Sequence, residues 1–236
     1  KALWDTLDVG YFMRHDASEI AWHARQLSRY ASHFEAAPVS SMNGKCIVRA
    51  RISPLGEGLQ VLVYTEDQTD LFARICGYFD QAGFSILDAK IHTAKNGYAL
   101  DTFQVVTSLL PEHYRELITM VESGLSVTIN QKGTLPPPTK GRVSRRVKNF
   151  PIAPRITLHP DEKAQSWLLA ISASDKMGLL YSVATVLAKH NISLKLAKIS
   201  TLGERVEDTF LLEGSALQHN REQIEIETEL LQVLQS

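Results

Sequence analysis

Two stretches of the chain carry the same succession of hydrophobic patterns. In the first, "CIVRARI" and "LQVLVYT" alternate apolar and polar residues as half-buried strands do. "TDLFARICGYFDQAG" then has apolar residues at helical spacing. "FSILDAKIHTA" and "YALDTFQVV" follow, separated by an Asn-Gly turn, and "PEHYRELITMVES" predicts a closing helix with Pro111 in its first turn. The predicted order is β-β-α-β-β-α.

The second stretch gives the same order. "RITLHP" and "SWLLAISA" predict a hairpin, "MGLLYSVATVLAKHN" a helix, "ISLKLAKIST" and "RVEDTFLLEG" two strands, and "NREQIEIETELLQVLQS" a last helix. "AKI" at Ala89 aligns with "AKI" at Ala197, and "DTF" at Asp101 aligns with "DTF" at Asp208 after the loss of one turn residue. Because identities fall at equivalent places in two series of elements, the pattern indicates an internal duplication.

The order predicts an α+β fold. Each copy contains the β-α-β-β-α core of a ferredoxin-like unit, so we expect two domains with antiparallel sheets and helices on one face, preceded by a helical segment. A ferredoxin-like unit normally ends in a fourth strand beside its first. The leading strand of each copy, 46–53 or 155–159, is predicted to take that edge position, antiparallel to the first core strand.

The predicted boundaries are a helical segment at 1–38, a first domain at 44–124, a linker at 125–153 and a second domain at 154–236. In the helical segment, Asp16 followed by Glu19 predicts a capped helix start. Its apolar face is expected to pack on absent structure or on itself; its members are Trp4, Tyr11, Phe12 and Trp22. The linker contains "PPP", and from Lys132 to Arg155 its charges are all basic. This composition fits a solvated tether or a contact for an acidic partner or nucleic acid.

Composition restricts the function classes. Of 236 residues, 44% are apolar and 22% charged, with a net charge of -1, which is ordinary for a globular protein and gives no overall basic character for nucleic acid. No apolar run approaches the ~20 residues of a membrane helix, and no signal peptide is evident, so we expect a cytoplasmic protein without membrane contact. Because the chain begins with Lys1, we expect a piece of a longer protein. Cys46 and Cys76 are predicted to be free thiols.

Catalytic motifs are missing from the pattern. "HD" occurs at His15-Asp16, but the other histidines have no ligand spacing, and Asp16 is better explained as a helix cap. The sequence has no Gly-rich phosphate loop with a lysine, no nucleophile elbow and no CxxC. We therefore expect no catalytic residue, metal or cofactor in this segment.

The stretch "SASDKMGLLYSVATVLAKHNISL" resembles an ACT domain, a small regulatory module that often binds amino acids. Nearly the whole chain is similar to the C-terminal part of the bifunctional PII uridylyltransferase and uridylyl-removing family, most specifically in "YFMRHDASEIAWHARQL", "DAKIHTAKNGYALDTF" and "ISTLGERVEDTF". The resemblance implies upstream nucleotidyltransferase and HD hydrolase domains, Mg only in those domains, glutamine as allosteric ligand, and the PII nitrogen-signalling protein as partner. It also implies ACT–ACT pairing, within the chain or in a dimer. The alternative is a free-standing tandem ACT regulator with another amino acid and a protein or nucleic-acid partner.

The candidate effector site lies at the turn that enters each first helix, where unpaired N–H groups and the helix dipole favour a carboxylate. In the second copy the candidates are Asp175, Lys176, Met177, Gly178, Leu179, Leu180, Asn191 and Ile192. In the first copy they are Asp67, Gln68, Thr69, Asp70, Gly83 and Phe84. Asp70 stands where the second copy has Gly178, and its carboxylate would repel a ligand carboxylate, so the second copy is the preferred site. Asp175 and Asn191 each have a simpler interpretation as helix caps.

Overall fold

The computed structural model describes residues 4–34, 46–108, 113–131, 133–139, 152–162, 165–176, 178–202 and 204–235. The helices are α1 (Val9–Arg14), α2 (Ala17–Phe34), α3 (Leu71–Gln81), α4 (Tyr114–Asn130), α5 (Leu179–Lys189) and α6 (Asn220–Gln235). The strands are β1 (Ile47–Ile52), β2 (Leu59–Glu66), β3 (Ser85–Lys90), β4 (Tyr98–Val106), β5 (Arg155–Pro160), β6 (Trp167–Ser174), β7 (Ser193–Lys198), β8 (Thr201–Leu202) and β9 (Arg205–Glu213). Pro111, Met177 and the linker residues 140–151 lie outside the described part.

The two sheets have the same topology. Their orders are β1-β2-β4-β3 and β5-β6-β9-β7, with short β8 paired to β9, and all of these pairings are antiparallel. The leading strands β1 and β5 lie beside the first core strands β2 and β6, where a ferredoxin-like unit has its fourth strand. The predicted fold class and the predicted place of the leading strands are both confirmed.

The repeated "DTF" lies on the third core strand of each domain. Phe103 and Phe210 are fully buried under the helices, in the main hydrophobic core. Asp101 Oδ1 accepts a hydrogen bond from the backbone N–H of His92 at 3.2 Å, and Asp208 Oδ1 accepts one from Ser200 at 3.1 Å. The aspartates therefore satisfy the neighbouring turn in both copies.

The first domain has an additional layer on the outer face of its sheet. Helices α1 and α2 bury Tyr11 and Trp22 there against Leu62 and Leu100, which point away from the main core. Asp16 and Glu19 form the predicted reciprocal cap, because each side chain accepts the other's backbone N–H. The helical segment thus packs on the first sheet, an arrangement that the sequence analysis did not foresee; Phe12 remains 42% exposed.

Polar side chains are buried between this helical layer and the sheet. His23 is hydrogen-bonded to Tyr11 Oη at 2.6 Å and to Thr102 Oγ1 at 3.2 Å. Glu19 accepts hydrogen bonds from Gln60 at 2.6 Å and from Lys90 at 2.7 Å. Since buried polar groups without partners are costly, these bonds fix one orientation of α2 on the sheet.

Burial lowers the pKa of His23 to about 3, so the folded protein keeps the ring neutral. The unfolded chain protonates near pH 6.5; the stabilisation is therefore complete above that pH and is lost as pH falls from 6.5 toward 3. The unfolding free energy of the wild type should fall between pH 7.5 and pH 5. In His23→Gln, whose side chain cannot titrate, we expect this fall to be smaller by about 2 kcal/mol. Urea unfolding at both pH values measures this. The exposed His159 provides the control, since His159→Gln should leave the loss unchanged.

The last helix of the first domain extends past residue 124, the predicted end of that domain. Helix α4 continues to Asn130 and buries Leu125 and Ile129 in the core. The predicted helix "PEHYRELITMVES" stopped at Ser123, directly before Gly124. In the structure its missing side chain makes room for Tyr78, whose ring would lie 2.8 Å from a Cβ at this position.

Candidate effector site

The turn that enters α5 is stabilised mainly by its own backbone. Gly178 occupies the N-cap position with a left-handed φ of 75°, which glycine adopts without strain. The N–H of Asp175 donates to Glu204 O, and that of Leu179 donates to Lys176 O. The Nζ of Lys176 donates to the carbonyls of Val233 and Leu234 at the end of α6. Lys176 is thus engaged in capping another helix, and Leu179 is a buried core residue.

Helices α3 and α5 pack antiparallel, which brings the first domain to this turn. Gly77 lies against the ring of Tyr181, and Asp80 lies beside Gly178. A Cβ on Gly178 would stand 3.2 Å from Asp80 Oδ1 and 3.0 Å from the carbonyl oxygen of Thr139. The residues that approach Gly178 therefore come from the end of α3 and from the linker.

Sequence reasoning missed both of these residues. Thr139 directly follows the triple proline, and nothing local indicates where that stretch folds back. Asp80 gave a weak signal, since it stands four residues after the buried Cys76 on the apolar face of α3. A buried carboxylate on such a face requires a partner, and that requirement marks the position as unusual.

Asp80 lies beside Gly178, Asp175 lies in the turn that enters α5, and Asp208 on β9 interacts electrostatically with Asp175. Burial raises the pKa of Asp175, and burial together with the charge of Asp175 raises the pKa of Asp208 to about 7, against the opposing hydrogen bond from Ser200. Asp80 Oδ1 is buried and has no hydrogen-bond partner among the described residues. The N–H groups at the start of α5 favour an anion, but the nearby carboxylates disfavour any further negative charge around them.

Asn191 and Ile192 lie beyond the other end of α5, whose 11 residues span about 16 Å at 1.5 Å per residue. Asn191 adopts a left-handed φ of 53°, and Gly83 adopts 76° at the equivalent position after α3. Ile192 and Phe84 are both buried and donate their N–H groups to equivalent helix carbonyls. The difference between Gly83 and Asn191 thus reflects two residue types that tolerate the same backbone conformation.

The first-copy turn is engaged by its own side chains. Asp70 forms an ion pair with Arg74 at 2.6 Å, and Asp67 Oδ2 accepts a hydrogen bond from Thr93 at 2.9 Å. The carbonyl of Gln68 accepts the N–H of Leu71, while Thr69 is exposed beside it. The carboxylate of Asp70 is therefore already paired, and the structure does not bring this turn together with Asp175.

The described part of the chain holds no group of three or more His, Cys, Asp or Glu side chains placed to bind a metal ion. Among the described helices, none is long and apolar enough to cross a membrane.

Comparison with known proteins places the chain. Residues 1–26 match the family described as "Uridylyltransferase GlnD fifth domain". The bifunctional uridylyltransferase/uridylyl-removing enzyme of Ralstonia nicotianae is 54% identical over 99% of this chain and 27% of its own length. The enzyme of that name from Burkholderia thailandensis is 50% identical over 99% of this chain and 26% of its own.

Among solved structures, that of aspartate kinase from Synechocystis covers 78% of this chain and 29% of its own, with a TM-score of 0.40 and 13% identity. The chain spans about a quarter of the length of the curated relatives it matches. At half or more identical residues over nearly its whole length, the chain is homologous to the C-terminal region of the bifunctional uridylyltransferase/uridylyl-removing enzymes.

Proposed function

We propose that this chain is the amino-acid-sensing region of an enzyme that uridylylates and deuridylylates the PII nitrogen-signalling protein, with glutamine as the effector. The catalytic domains, and any Mg they use, belong to the remaining length of the relatives. The observation that carries the proposal is the α5 turn, where the positive end of a helix and the partly unpaired carboxylate of Asp80 meet at the contact between the two domains. Such a place offers opposite charges to the two ends of a zwitterion.

The same charges favour glutamine over glutamate. The side-chain amide of glutamine is neutral and can donate two hydrogen bonds to carboxylate or carbonyl oxygens. Glutamate would bring a second carboxylate next to Asp175 and Asp80, where it would be unpaired or would have to take up a proton. Discrimination therefore follows from repulsion of the wrong ligand as well as from contacts with the right one.

Regulation follows by linkage. An effector at the α3–α5 contact binds one arrangement of the two domains more tightly than another, and typical coupling free energies are about 1–3 kcal/mol. Helices α1 and α2 lie on the outer face of the first sheet, and the matched family domain, residues 1–26, includes α1 and the first part of α2. The first domain therefore connects the effector site to the segment that leads toward the upstream part of the relatives.

Calorimetry of the chain with the twenty amino acids tests the proposal. Glutamine should bind, and glutamate should bind at least about tenfold more weakly, which corresponds to 1.4 kcal/mol. Gly178→Val should abolish binding, because its side chain would fill the space before α5. Gly97→Val is the matched control: Gly97 has a φ of 79° and open space around it, so it carries the same backbone strain far from the site. Heat with a different amino acid alone, or equal binding of glutamate, would contradict the proposal.

A further inference from the structure

Residues 131 and 133–139, which we call the strap, cross the helices of both domains on their way out of α4. Arg74 of α3 donates hydrogen bonds to the carbonyls of Gln131 and Gly133, both at 2.9 Å. Gln81 donates to Pro137 O at 3.3 Å, and the hydroxyl of Tyr181, on α5, donates to Pro136 O. Leu135 packs on the main core. The strap is therefore held by both domains at their contact.

The triple proline explains the chemistry of this attachment. Prolines present carbonyl acceptors but no N–H donor, so the helices supply the donors Tyr181 and Gln81. Thr139 provides the first N–H after the prolines, and it donates to Asp80 Oδ2 at 2.8 Å. The carbonyl of the same residue faces Gly178. The backbone of a single residue, Thr139, thus lies between Asp80 and the start of α5.

Asp80 is incompletely satisfied by this contact. The residue is 7% exposed, and its Oδ1 has no partner among the described residues although it points at the Gly178 turn. A buried carboxylate is stabilised most strongly when both of its oxygens accept charge-assisted hydrogen bonds. A neutral backbone N–H on one oxygen leaves the other available for a cationic donor.

From this geometry, and resting on the proposed function, we propose that the end of the strap is a tethered occupant of the effector site. A free zwitterionic amino acid displaces Thr139. Its ammonium group then binds both oxygens of Asp80, and its carboxylate meets the N–H groups at the start of α5. Glycine at 178 is required in both states because either occupant approaches the backbone there. Effector binding thereby releases the linker between the two domains. This release is the structural change that transmits the signal.

The affinity for the effector then depends on the fraction of molecules in which the strap is closed. When only the open state binds, the apparent Kd equals the intrinsic Kd divided by the open fraction, so loosening the strap tightens effector binding. Tyr181→Phe removes one hydroxyl donor to the strap and keeps the ring against Gly77. A hydrogen bond contributes about 0.5–1.5 kcal/mol, so glutamine affinity should rise by about 2- to 10-fold.

Calorimetry with glutamine, combined with hydrogen exchange at the Thr139 amide, tests this on the intact chain. Tyr181→Phe should raise affinity and speed Thr139 exchange without ligand. Tyr78→Phe is the matched control, since Tyr78 donates its hydroxyl to Met120 O and not to the strap. Asp80→Asn should keep Thr139 protected, because its amide oxygen still accepts that N–H, but should weaken glutamine binding at least about tenfold through loss of the charge. Saturating glutamine should expose the Thr139 amide in the wild type.

The failures are distinguishable. Glutamine binding with unchanged or increased Thr139 protection would overturn the tethered occupant and leave the proposed function standing. Equal affinities in Tyr181→Phe and Tyr78→Phe would do the same. If neither the wild type nor Tyr181→Phe binds any amino acid, the proposed function fails, and the role of the strap fails with it.

Discussion

Replacement of Asp208 by asparagine is expected to stabilise the protein above pH 7. Burial raises the pKa of Asp208 from 3.8 to about 7, so the folded state holds a proton that the unfolded chain releases. The stabilisation from this group is complete below pH 3.8 and is lost as pH rises through 7. The loss amounts to about 4 kcal/mol at the alkaline end, from 1.36 kcal/mol for each pH unit of difference between the two pKa values.

Asparagine is neutral at every pH and retains an oxygen that can accept the Ser200 N–H. The difference in unfolding free energy between Asp208→Asn and the wild type should therefore grow from pH 4 to pH 8.5. Urea unfolding at four pH values across that range gives this difference directly. Glu57→Gln, which neutralises an exposed carboxylate, should show no such growth. A difference that is flat with pH would mean that Asp208 stays ionised in the folded protein.

The duplicated fold was predictable because its signals are local and occur twice. Strand alternation, helical spacing and the Asn-Gly turn each fix a few residues, and "AKI" and "DTF" aligned the two copies without knowledge of their contacts. The edge position of β1 and β5 followed from one vacancy in a ferredoxin-like sheet. Two copies that agree on every element leave little freedom for an alternative order of strands.

The site was predictable only in part, because half of it is non-local. Gly178 and Asp175 stand together in the sequence and could be recognised there. The antiparallel contact of α3 with α5 brings Asp80 to the same place, and the path of the strap brings Thr139 there. No periodic pattern in the sequence predicts this contact or this path. Asn191 was also predicted to belong to this site, although an eleven-residue helix separates it from Gly178.

The two copies differ at two equivalent positions, and the structure gives the two differences unlike meanings. Gly83 and Asn191 are equivalent solutions to one backbone requirement. Asp70 and Gly178 are a real difference, since Asp70 pairs with Arg74 and thereby places a donor for the strap. The first copy thus anchors the beginning of the strap, while Gly178 in the second copy leaves room for its end.

The second large effect is expected at Gly77, where the two domains meet. A Cβ at this position would lie 2.9 Å from the ring of Tyr181, closer than real Cβ atoms come to their neighbours. Tyr181 is 1% exposed and its hydroxyl is bonded to the strap, so the ring has little room to move. Gly77→Leu should therefore overpack the contact and cost about 1–3 kcal/mol of unfolding free energy, despite the better helix propensity of leucine. The strap should loosen as well, since Tyr181 must shift.

Gly124→Leu supplies a control of the same chemistry. Gly124 is also inside a helix, and its Cβ would lie 2.8 Å from the ring of Tyr78. Tyr78 is only half-buried, so its ring can swing toward solvent, and the gain in helix propensity of up to about 1 kcal/mol offsets much of the cost. Guanidinium unfolding should place Gly77→Leu well below Gly124→Leu in midpoint. Protease cleavage between 131 and 139 should accelerate in Gly77→Leu alone. Equal midpoints and equal cleavage would show that α3 and α5 separate at little cost, and that the contact between the domains does not hold the strap.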